Sequence, residues 1–104
     1  MAKRKASEPP PPPAPLEAIP TTKFKRDVER QKKRGKDMAK LQALIEMLCH
    51  HRPLEPRHKD HPLAGEWGGY RDCHVEPDWL MIYLREGGKL VLARTGSHSD
   101  LFRE

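Results

Sequence analysis

The chain has 104 residues and a formal net charge of +5, with 20 Lys and Arg against 15 Asp and Glu. A chain of this length holds one small domain with a limited core. Its two cysteines form no Cys-x-x-Cys pair, and the longest apolar run, Trp79 to Leu84, is far too short to span a bilayer. We therefore expect a reduced, cytoplasmic protein whose partner is polyanionic, although a basic surface without such a partner is the alternative.

Residues 1–15 form a basic, proline-rich arm with Lys3-Arg4-Lys5 and an unbroken run from Pro9 to Pro13. Proline cannot donate a backbone hydrogen bond and favours an extended conformation, so this arm is predicted to be disordered. The folded domain is predicted to cover residues 16–104. A short first strand is expected within Leu16 to Thr22, and Pro20 restricts it to a sheet edge or a bulge.

Two helices joined by a short connection are predicted next. Thr21 or Thr22 is a suitable N-cap for a helix that begins near Lys23, and Gly35 suits the position just after its end. Asp37 can cap a second helix, in which apolar residues recur at spacings of three and four. These residues are Met38, Leu41, Leu44, Ile45 and Leu48. The two helices therefore form an αα-hairpin whose apolar stripe packs on another element.

The first of these helices has an unusual concentration of positive charge. Phe24 and Val28 are its main apolar residues, and its remaining surface is largely basic. The basic residues are Lys23, Lys25, Arg26, Arg30, Lys32, Lys33 and Arg34. Such a surface is typical of contacts to phosphates, which contribute affinity without sequence information. A solvated helix face is the alternative interpretation.

A small sheet is predicted in the second half of the chain. Within Tyr70 to Tyr83 we expect a strand, a turn at Glu76-Pro77-Asp78 and a second strand. The glycine turn at 86–89 then leads to a third strand from Leu90 to Arg94, followed by a polar-to-apolar tail from Ser97 to Phe102. The predicted fold class is α+β, with the αα-hairpin packed on one face of a small, mainly antiparallel sheet.

Two ionisable residues of the first predicted strand share one face. Asp72 and His74 are two positions apart, so their side chains emerge on the same side, with Asp78 and Trp79 at the turn just beyond. Burial of two ionisable groups without partners is costly. That face is therefore predicted to be a site and not a core.

Six histidines lie at or after the end of the second helix, and part of them fall in a predicted loop from His50 to Gly69. Their spacing fits no zinc motif, so no metal is predicted. No strained elbow holds Ser97 or Ser99 as a nucleophile. Histidines and aspartates on a basic scaffold instead fit a metal-free ribonuclease, in which a base takes the proton of a 2′-hydroxyl and an acid protonates the departing 5′-oxygen.

Several ordered blocks of the sequence resemble a known family. The blocks are Lys59 to Leu63, Gly65 to Trp67, Tyr70 to Trp79 and Arg94 to Phe102, together with the helix junction at 35–38. Over roughly Ile19 to Phe102, the chain resembles the YafQ branch of the RelE/ParE toxin superfamily. The proline-rich arm lies outside the resemblance.

This resemblance implies a RelE-like fold and a type II toxin that cleaves messenger RNA in the ribosomal A site. The implied cut is made by the substrate's own 2′-hydroxyl, leaves a 2′,3′-cyclic phosphate and a 5′-hydroxyl, and requires no cofactor. The implied partners are mRNA, the ribosome and a cognate antitoxin, without a membrane and without direct reading of DNA. Five residues of the first helix would then dock on the ribosome: Lys25, Arg26, Lys32, Lys33 and Arg34.

The family's functional positions carry over onto this chain. The implied catalytic residues are His61, Asp72, His74, Asp78 and His98, and the implied RNA-binding residues are Lys59, Trp79, Arg94 and Phe102. We expect His98 to be the general acid and His74 or His61 the general base, with the aspartates orienting the imidazoles or favouring their charged form. Phe102 would stack on a base or pack beneath the scissile nucleotide.

Each of these residues also has a purely structural interpretation. Asp78 is a common turn residue after Pro77, His61 is a loop residue, and Phe102 is an apolar plug for the tail. Two other functions stay open as well. One is a gyrase-inhibiting toxin of the same superfamily, which would lack the histidine set, and the other is a non-catalytic protein that binds RNA or its antitoxin.

Overall fold

A sheet of five strands, in the order β1-β5-β4-β3-β2, organises the part of the chain that a computed structural model describes, namely Pro11 and residues 13–102. The strands are β1 (Glu17–Pro20), β2 (His61–Pro62), β3 (Arg71–Glu76), β4 (Trp79–Glu86) and β5 (Lys89–Gly96). The helices are α1 (Thr22–Lys33), α2 (Met38–Cys49) and α3 (His98–Phe102). β1 and β5 pair in parallel, and the other neighbouring strands of this sheet pair in antiparallel orientation. The predicted disordered arm, 1–15, lies largely outside the described residues.

The two long helices begin at the predicted caps. Thr21 Oγ1 accepts a hydrogen bond from the Phe24 N–H at 3.0 Å and donates one to the Ala93 carbonyl at 2.9 Å, which ties the start of α1 to β5. The Asp37 carboxylate accepts from the Ala39 N–H at 2.9 Å at the start of α2. Between them, Gly35 has a positive φ of 81°, a conformation that glycine adopts without steric penalty.

Both helices pack on the same face of the sheet, as the apolar stripe predicts. Phe24 of α1 and four leucine or isoleucine residues of α2 contact the side chains that β3, β4 and β5 direct to this side. The buried sheet residues are Cys73, Val75, Trp79, Met81, Tyr83, Leu90 and Leu92. Because the apolar area removed from water is the main stabilising term of a small domain, this layer is the principal core. The α+β prediction with a helical hairpin on one face is confirmed.

A partly buried ion pair fixes α1 to β5. Asp27 is only 4% exposed, and its carboxylate accepts hydrogen bonds from Arg94 Nε at 2.7 Å and from the Thr95 N–H at 3.1 Å. A buried charge needs such partners, because removal of either one leaves the other uncompensated. Asp27 therefore sets the position of the helix over β5.

The opposite face of the sheet, which we term the open face, has a smaller apolar layer. Leu80, Ile82, Ala93 and Leu101 are buried there, and four partly buried side chains pack against them. Those four are Leu63, Trp67, Tyr70 and Phe102. Since Cys73 and Val75 point to the helices, the alternation of a strand directs Asp72 and His74 to the open face, as predicted.

Two regions differ from the sequence prediction. The segment predicted as a loop from His50 to Gly69 contains β2 and two single-turn 3₁₀ helices, Pro56–His58 and Gly65–Trp67. The predicted tail is the helix α3, and β5 extends beyond the predicted Arg94 to Gly96. These elements span two to five residues, which is too short for hydrophobic periodicity to reveal them. Among the residues described, no helix is long and apolar enough to cross a bilayer.

Candidate active site

Three histidines and one aspartate meet on the open face of the sheet, and we call this group the histidine cluster: His61, Asp72, His74 and His98. Strand register explains their approach, because His61 of β2 pairs directly with Asp72 of β3. His74 lies opposite Leu80, which in turn lies opposite the last residue of β5. His98 follows two positions later, and its ring lies 5.5 Å from that of His74 between centroids, edge to face.

His98 is held by an aspartate of the β3–β4 turn. The Oδ1 atom of Asp78 accepts hydrogen bonds from His98 Nδ1 at 2.6 Å and from the His98 backbone N–H at 2.9 Å. These bonds, the backbone one first, hold the pKa of Asp78 below its usual range. Because a carboxylate only accepts, the proton of the imidazole lies on Nδ1, and Nε2 is left to exchange a proton with a substrate.

His61 faces a buried carboxylate. His61 Nδ1 donates to the Lys59 carbonyl at 2.6 Å, which directs Nε2 towards Asp72 Oδ2 at 4.0 Å. Lys59 adopts a left-handed conformation with φ of 44°, and this turn places its carbonyl within reach of the ring. The side chains of His61 and Asp72 are 48% and 5% exposed, so the pair spans the boundary between solvent and core.

Asp72 is the most unusual group in the cluster. It is only 4% exposed, and its Oδ1 atom has no hydrogen-bond partner among the described residues. Burial raises the pKa of Asp72, although the three neighbouring histidines oppose the shift. A poorly satisfied buried carboxylate is costly to the fold, and such groups occur at functional sites.

His74 lies between the two histidine–aspartate pairs, His61 with Asp72 and His98 with Asp78. Burial is the largest influence on its pKa, which is lowered, and the positive charges of His98 and Lys59 act in the same direction while Asp72 opposes them. The backbone carbonyl of His74 accepts a hydrogen bond from His58 Nδ1 at 2.6 Å, which steadies β3 beside the cluster. A lowered pKa keeps this imidazole neutral and able to accept a proton.

The predicted RNA-binding residues divide into two groups. Lys59 is exposed beside the cluster, and Phe102 is half-buried at the edge of an open groove of about 830 Å³. Arg94 also borders this groove, and its guanidinium is bonded to Asp27, which gives it a structural role. Its contact with RNA stays a prediction. His74 and Asp78 border a second groove of about 780 Å³. The second groove therefore reaches the cluster at His74, while the first is bordered by Phe102 of the helix that carries His98.

The expectation that Trp79 contacts RNA is wrong. Its side chain is fully buried in the helix-facing layer, and its Nε1–H donates to Thr95 Oγ1 at 2.9 Å. The alternation of β4 directs it away from the open face, whereas Leu80 and Ile82 point towards the cluster. Trp79 is thus a core residue beside the turn that carries Asp78.

Substitution Trp79→Phe tests this structural role. We expect the free energy of unfolding to fall by about 1–2 kcal/mol, because the Thr95 hydrogen bond is lost and a small void remains. Urea unfolding followed by circular dichroism measures the change. If Trp79 contacted RNA, the same variant would bind RNA more weakly at a temperature at which both proteins are folded.

The predicted docking residues of α1 are exposed at Lys25, Arg26, Lys32 and Lys33. Arg34, just beyond the end of α1, differs from them because its guanidinium is bonded to Asp100 through both terminal nitrogens, at 2.5 and 3.1 Å. Lys25, Arg26, Lys32 and Lys33 remain a candidate polyanion-binding surface. Arg34 has a structural partner that the sequence prediction did not foresee.

Three residues that support the site are absent from the sequence prediction: His58, Asp60 and Asp100. Asp60 Oδ1 accepts from Tyr83 Oη at 2.5 Å and from Arg71 Nε at 3.1 Å, which anchors the segment just before His61. No sequence pattern indicates that contact. Asp100 had a detectable signal, because Ser97-x-x-Asp100 has the spacing of a helix capping box.

Within Pro11 and 13–102, no three His, Cys, Asp or Glu side chains are arranged to hold a metal ion.

Comparison with known proteins identifies the fold. Residues 16–103 match the model of a family described as "Bacterial toxin of type II toxin-antitoxin system, YafQ". The mRNA interferase toxin YafQ of Escherichia coli K12 is 49% identical to this chain over 80 residues, which are 76% of this chain and 87% of that protein.

Solved structures agree with the family match. YafQ from E. coli BL21(DE3) superposes with a TM-score of 0.79 at 43% identity, covering 84% of this chain and 98% of that chain. The crystal structure of the E. coli DinJ-YafQ toxin-antitoxin complex gives a TM-score of 0.77 at 44% identity, covering 84% of this chain and 97% of the matched chain. The resemblance and the RelE-like fold predicted from sequence are confirmed, and the chain belongs to the YafQ family of bacterial type II toxins.

Proposed function

We propose that this chain is an mRNA endonuclease that acts on ribosome-bound message and inhibits translation. The observation that carries the proposal is the pair of facing imidazoles, His74 with a lowered pKa and His98 bonded through Nδ1 to Asp78. A base and an acid are thereby available side by side on the open face of the sheet. The name of the E. coli relative, mRNA interferase toxin, supports the same reaction.

The two proton transfers define the mechanism. Neutral His74 accepts the proton of the substrate 2′-hydroxyl, and the 2′-oxygen attacks the adjacent phosphorus. The bond from phosphorus to the 5′-oxygen breaks, and protonated His98 donates its Nε2 proton to that oxygen. The products are a 2′,3′-cyclic phosphate and a 5′-hydroxyl. Histidine suits both steps because its unperturbed pKa lies near neutral pH, and neither step uses a cofactor.

Charged groups around the imidazoles assist these transfers. Asp72 stabilises the positive charge that His74 acquires with the substrate proton, since it lies on the same face of β3. Lys59 and protonated His61 offset the additional negative charge of the phosphorane. Phe102, at the rim of the adjoining groove, stacks on a base and orients the scissile nucleotide.

The basic surface of α1 gives the proposed ribosome dependence a physical basis. Lys25, Arg26, Lys32 and Lys33 are exposed on the helix, and phosphate contacts made by such residues raise affinity without sequence selection. We assign the 16–104 domain to this activity, in the cytoplasm. The cognate partner is an antitoxin, as in the DinJ-YafQ complex, and an acidic segment that folds on binding suits the basic surface.

A cleavage assay with programmed ribosomes tests the proposal. Purified protein is incubated with ribosome-bound message and with free message, each with and without EDTA, and the new ends are mapped. We expect cleavage of the ribosome-bound message alone, with a 2′,3′-cyclic phosphate on the upstream fragment. EDTA removes transition metals, and magnesium is then added in excess to keep the ribosomes intact. Under these conditions the cleavage rate should equal the rate without EDTA.

Other outcomes contradict specific parts of the proposal. Equal cleavage of free message would contradict ribosome dependence, and a 3′-hydroxyl product would contradict attack by the 2′-oxygen. No cleavage combined with inhibition of gyrase, or with tight binding of RNA alone, would favour the alternative functions considered from sequence.

A further inference from the structure

The helix α3, which carries His98 at its first position and Phe102 at its last, is only five residues long. Isolated helices below about 12–15 residues are marginal in water, so this one requires tertiary contacts. Leu101 provides the apolar contact, because it is buried against Leu80 and Ile82. The partly buried Phe102 packs against the same layer. These two adjacent side chains restrain the position of the helix but leave its rotation poorly fixed. Polar contacts must supply the remaining restraint.

Asp100 supplies those contacts within α3. Its Oδ2 accepts a hydrogen bond from the Ser97 N–H at 2.9 Å, and Ser97 Oγ accepts one from the Asp100 N–H at 3.1 Å. This reciprocal arrangement is a capping box with aspartate in place of glutamate. Gly96 makes room for it, since a Cβ at that position would lie 2.8 Å from Asp100 Oδ2.

Asp100 is also bound from a distant part of the chain. Arg34, which follows α1, places Nη1 at 2.5 Å from Oδ2 and Nη2 at 3.1 Å from Oδ1, and Arg30 lies at 4.0 Å. The side chains of Arg34 and Asp100 are 42% and 13% exposed. A bidentate pair of arginine and carboxylate fixes orientation as well as distance. The helix that bears the acid is therefore clamped to the end of the basic helix.

We propose that Arg34 and Asp100 are positioning residues that hold α3 so that His98 stays on Asp78 with Nε2 directed into the site. Neither residue touches the reacting atoms. The inference rests on the proposed function for its catalytic consequence, but its structural part is independent of any activity. It also gives Arg34 a different role from the four exposed docking residues of α1.

The ion pair of Arg34 and Asp100, which we call the clamp, stays ionised near neutral pH. The Arg34 guanidinium holds the pKa of Asp100 well below its usual range. A carboxyl whose pKa is lowered by folding stabilises the folded state fully when the pH is above its pKa in the unfolded chain, about 3.9. This stabilisation is lost only as the pH falls through its pKa in the folded protein. The clamp therefore does not shape the pH profile near neutrality.

A double-mutant cycle tests the clamp through the cleavage rate. Asp100→Asn, Arg34→Met and the double variant are compared at saturating ribosome-bound message. Each single variant should lower the rate about tenfold, because a slight misplacement of a catalytic group is enough. The double variant should be no slower than either single one. Glu86→Gln and Lys89→Met are charge-matched controls at the opposite end of β4 and β5 and should keep the parental rate.

A docking role for Arg34 predicts a different result. Loss of a ribosome contact would raise the half-saturating ribosome concentration and leave the saturated rate intact. It would also act independently of Asp100, so the effects of the two substitutions would multiply. Either result would overturn the assignment of Arg34 as a positioning residue.

Nuclear magnetic resonance of the His98 ring tests the clamp without cleavage. In the parental protein the Nδ1 proton should show the downfield shift of a hydrogen bond to carboxylate, and Asp100→Asn and Arg34→Met should weaken it. Gly96→Ala should do the same without a change of charge, because the added methyl group displaces the Asp100 carboxylate. Unchanged His98 resonances in all three folded variants would overturn the proposal, even if the parental protein proved to have no nuclease activity.

Discussion

Substitution His98→Ala should lower the cleavage rate of saturating ribosome-bound message by roughly 100- to 10,000-fold, the range that a positioned acid or base supplies. The physical reason is that an unprotonated 5′-alkoxide is a poor leaving group, and the Nε2 proton of His98 converts it into a neutral hydroxyl as it departs. Rapid-quench measurement of the single-turnover rate separates this step from binding. The half-saturating ribosome concentration should stay near the parental value, because the basic surface of α1 is unaltered.

The pH profile makes this prediction more specific. A general acid must be protonated, so its loss should abolish the decline of rate on the alkaline side while the acidic side, which belongs to the base, persists. His50→Ala is the matched control, because His50 is an exposed histidine at the end of α2 and lies outside the cluster. A His98→Ala protein that cleaved at the parental rate, or that kept the alkaline decline, would refute the assignment of the acid.

The parts of the fold that sequence predicted are those in which local signals and packing agree. The spacing of Leu41, Leu44, Ile45 and Leu48 indicates an amphipathic helix, and its N-cap, Asp37, is a short-range signal. Alternation along β3 likewise places Asp72 and His74 on the open face of the sheet and Cys73 on the helix-facing side. In each case one residue's environment follows from its immediate neighbours in the chain.

The features that sequence missed depend on long-range contacts. Trp79 adjoins Asp78 in sequence, but strand alternation and the Thr95 hydrogen bond place it in the core. Arg94 and Arg34 look like free cations, and only the fold shows that Asp27 and Asp100 neutralise them. A charge that is paired across 66 or 67 positions leaves no local pattern. Basic character alone therefore does not show which cations already have a partner within the fold.

Asp72→Asn should have opposite effects on activity and on stability. In the proposed mechanism, His74 becomes cationic as it takes the 2′-hydroxyl proton, and Asp72 is the carboxylate on the same strand face that stabilises this charge. Because the interaction strengthens as the transition state forms, its loss should lower the saturated rate by roughly 100-fold, as for removal of one preorganised electrostatic group. The rate is measured by the same single-turnover assay.

The free energy of unfolding should rise in the same variant. The wild-type carboxylate is buried with one oxygen unpaired, and replacement of a strained functional group commonly adds about 0.5–2 kcal/mol. Urea unfolding at neutral pH measures the difference. Glu46→Gln, which removes an exposed carboxylate from α2, is the control and should leave both stability and rate unchanged.

The pH dependence of this stability difference follows from the raised pKa of Asp72. The folded protein binds the Asp72 proton more readily than the unfolded chain does, so its destabilising effect is full above the folded pKa and disappears below the unfolded value of about 3.9. The advantage of Asp72→Asn over the parental protein should therefore be greatest at neutral pH and shrink as the pH falls through that window. The other carboxylates titrate alike in both proteins and cancel. A variant that was less stable than the parent at neutral pH, or whose advantage grew in acid, would show that Asp72 serves the fold and not the reaction.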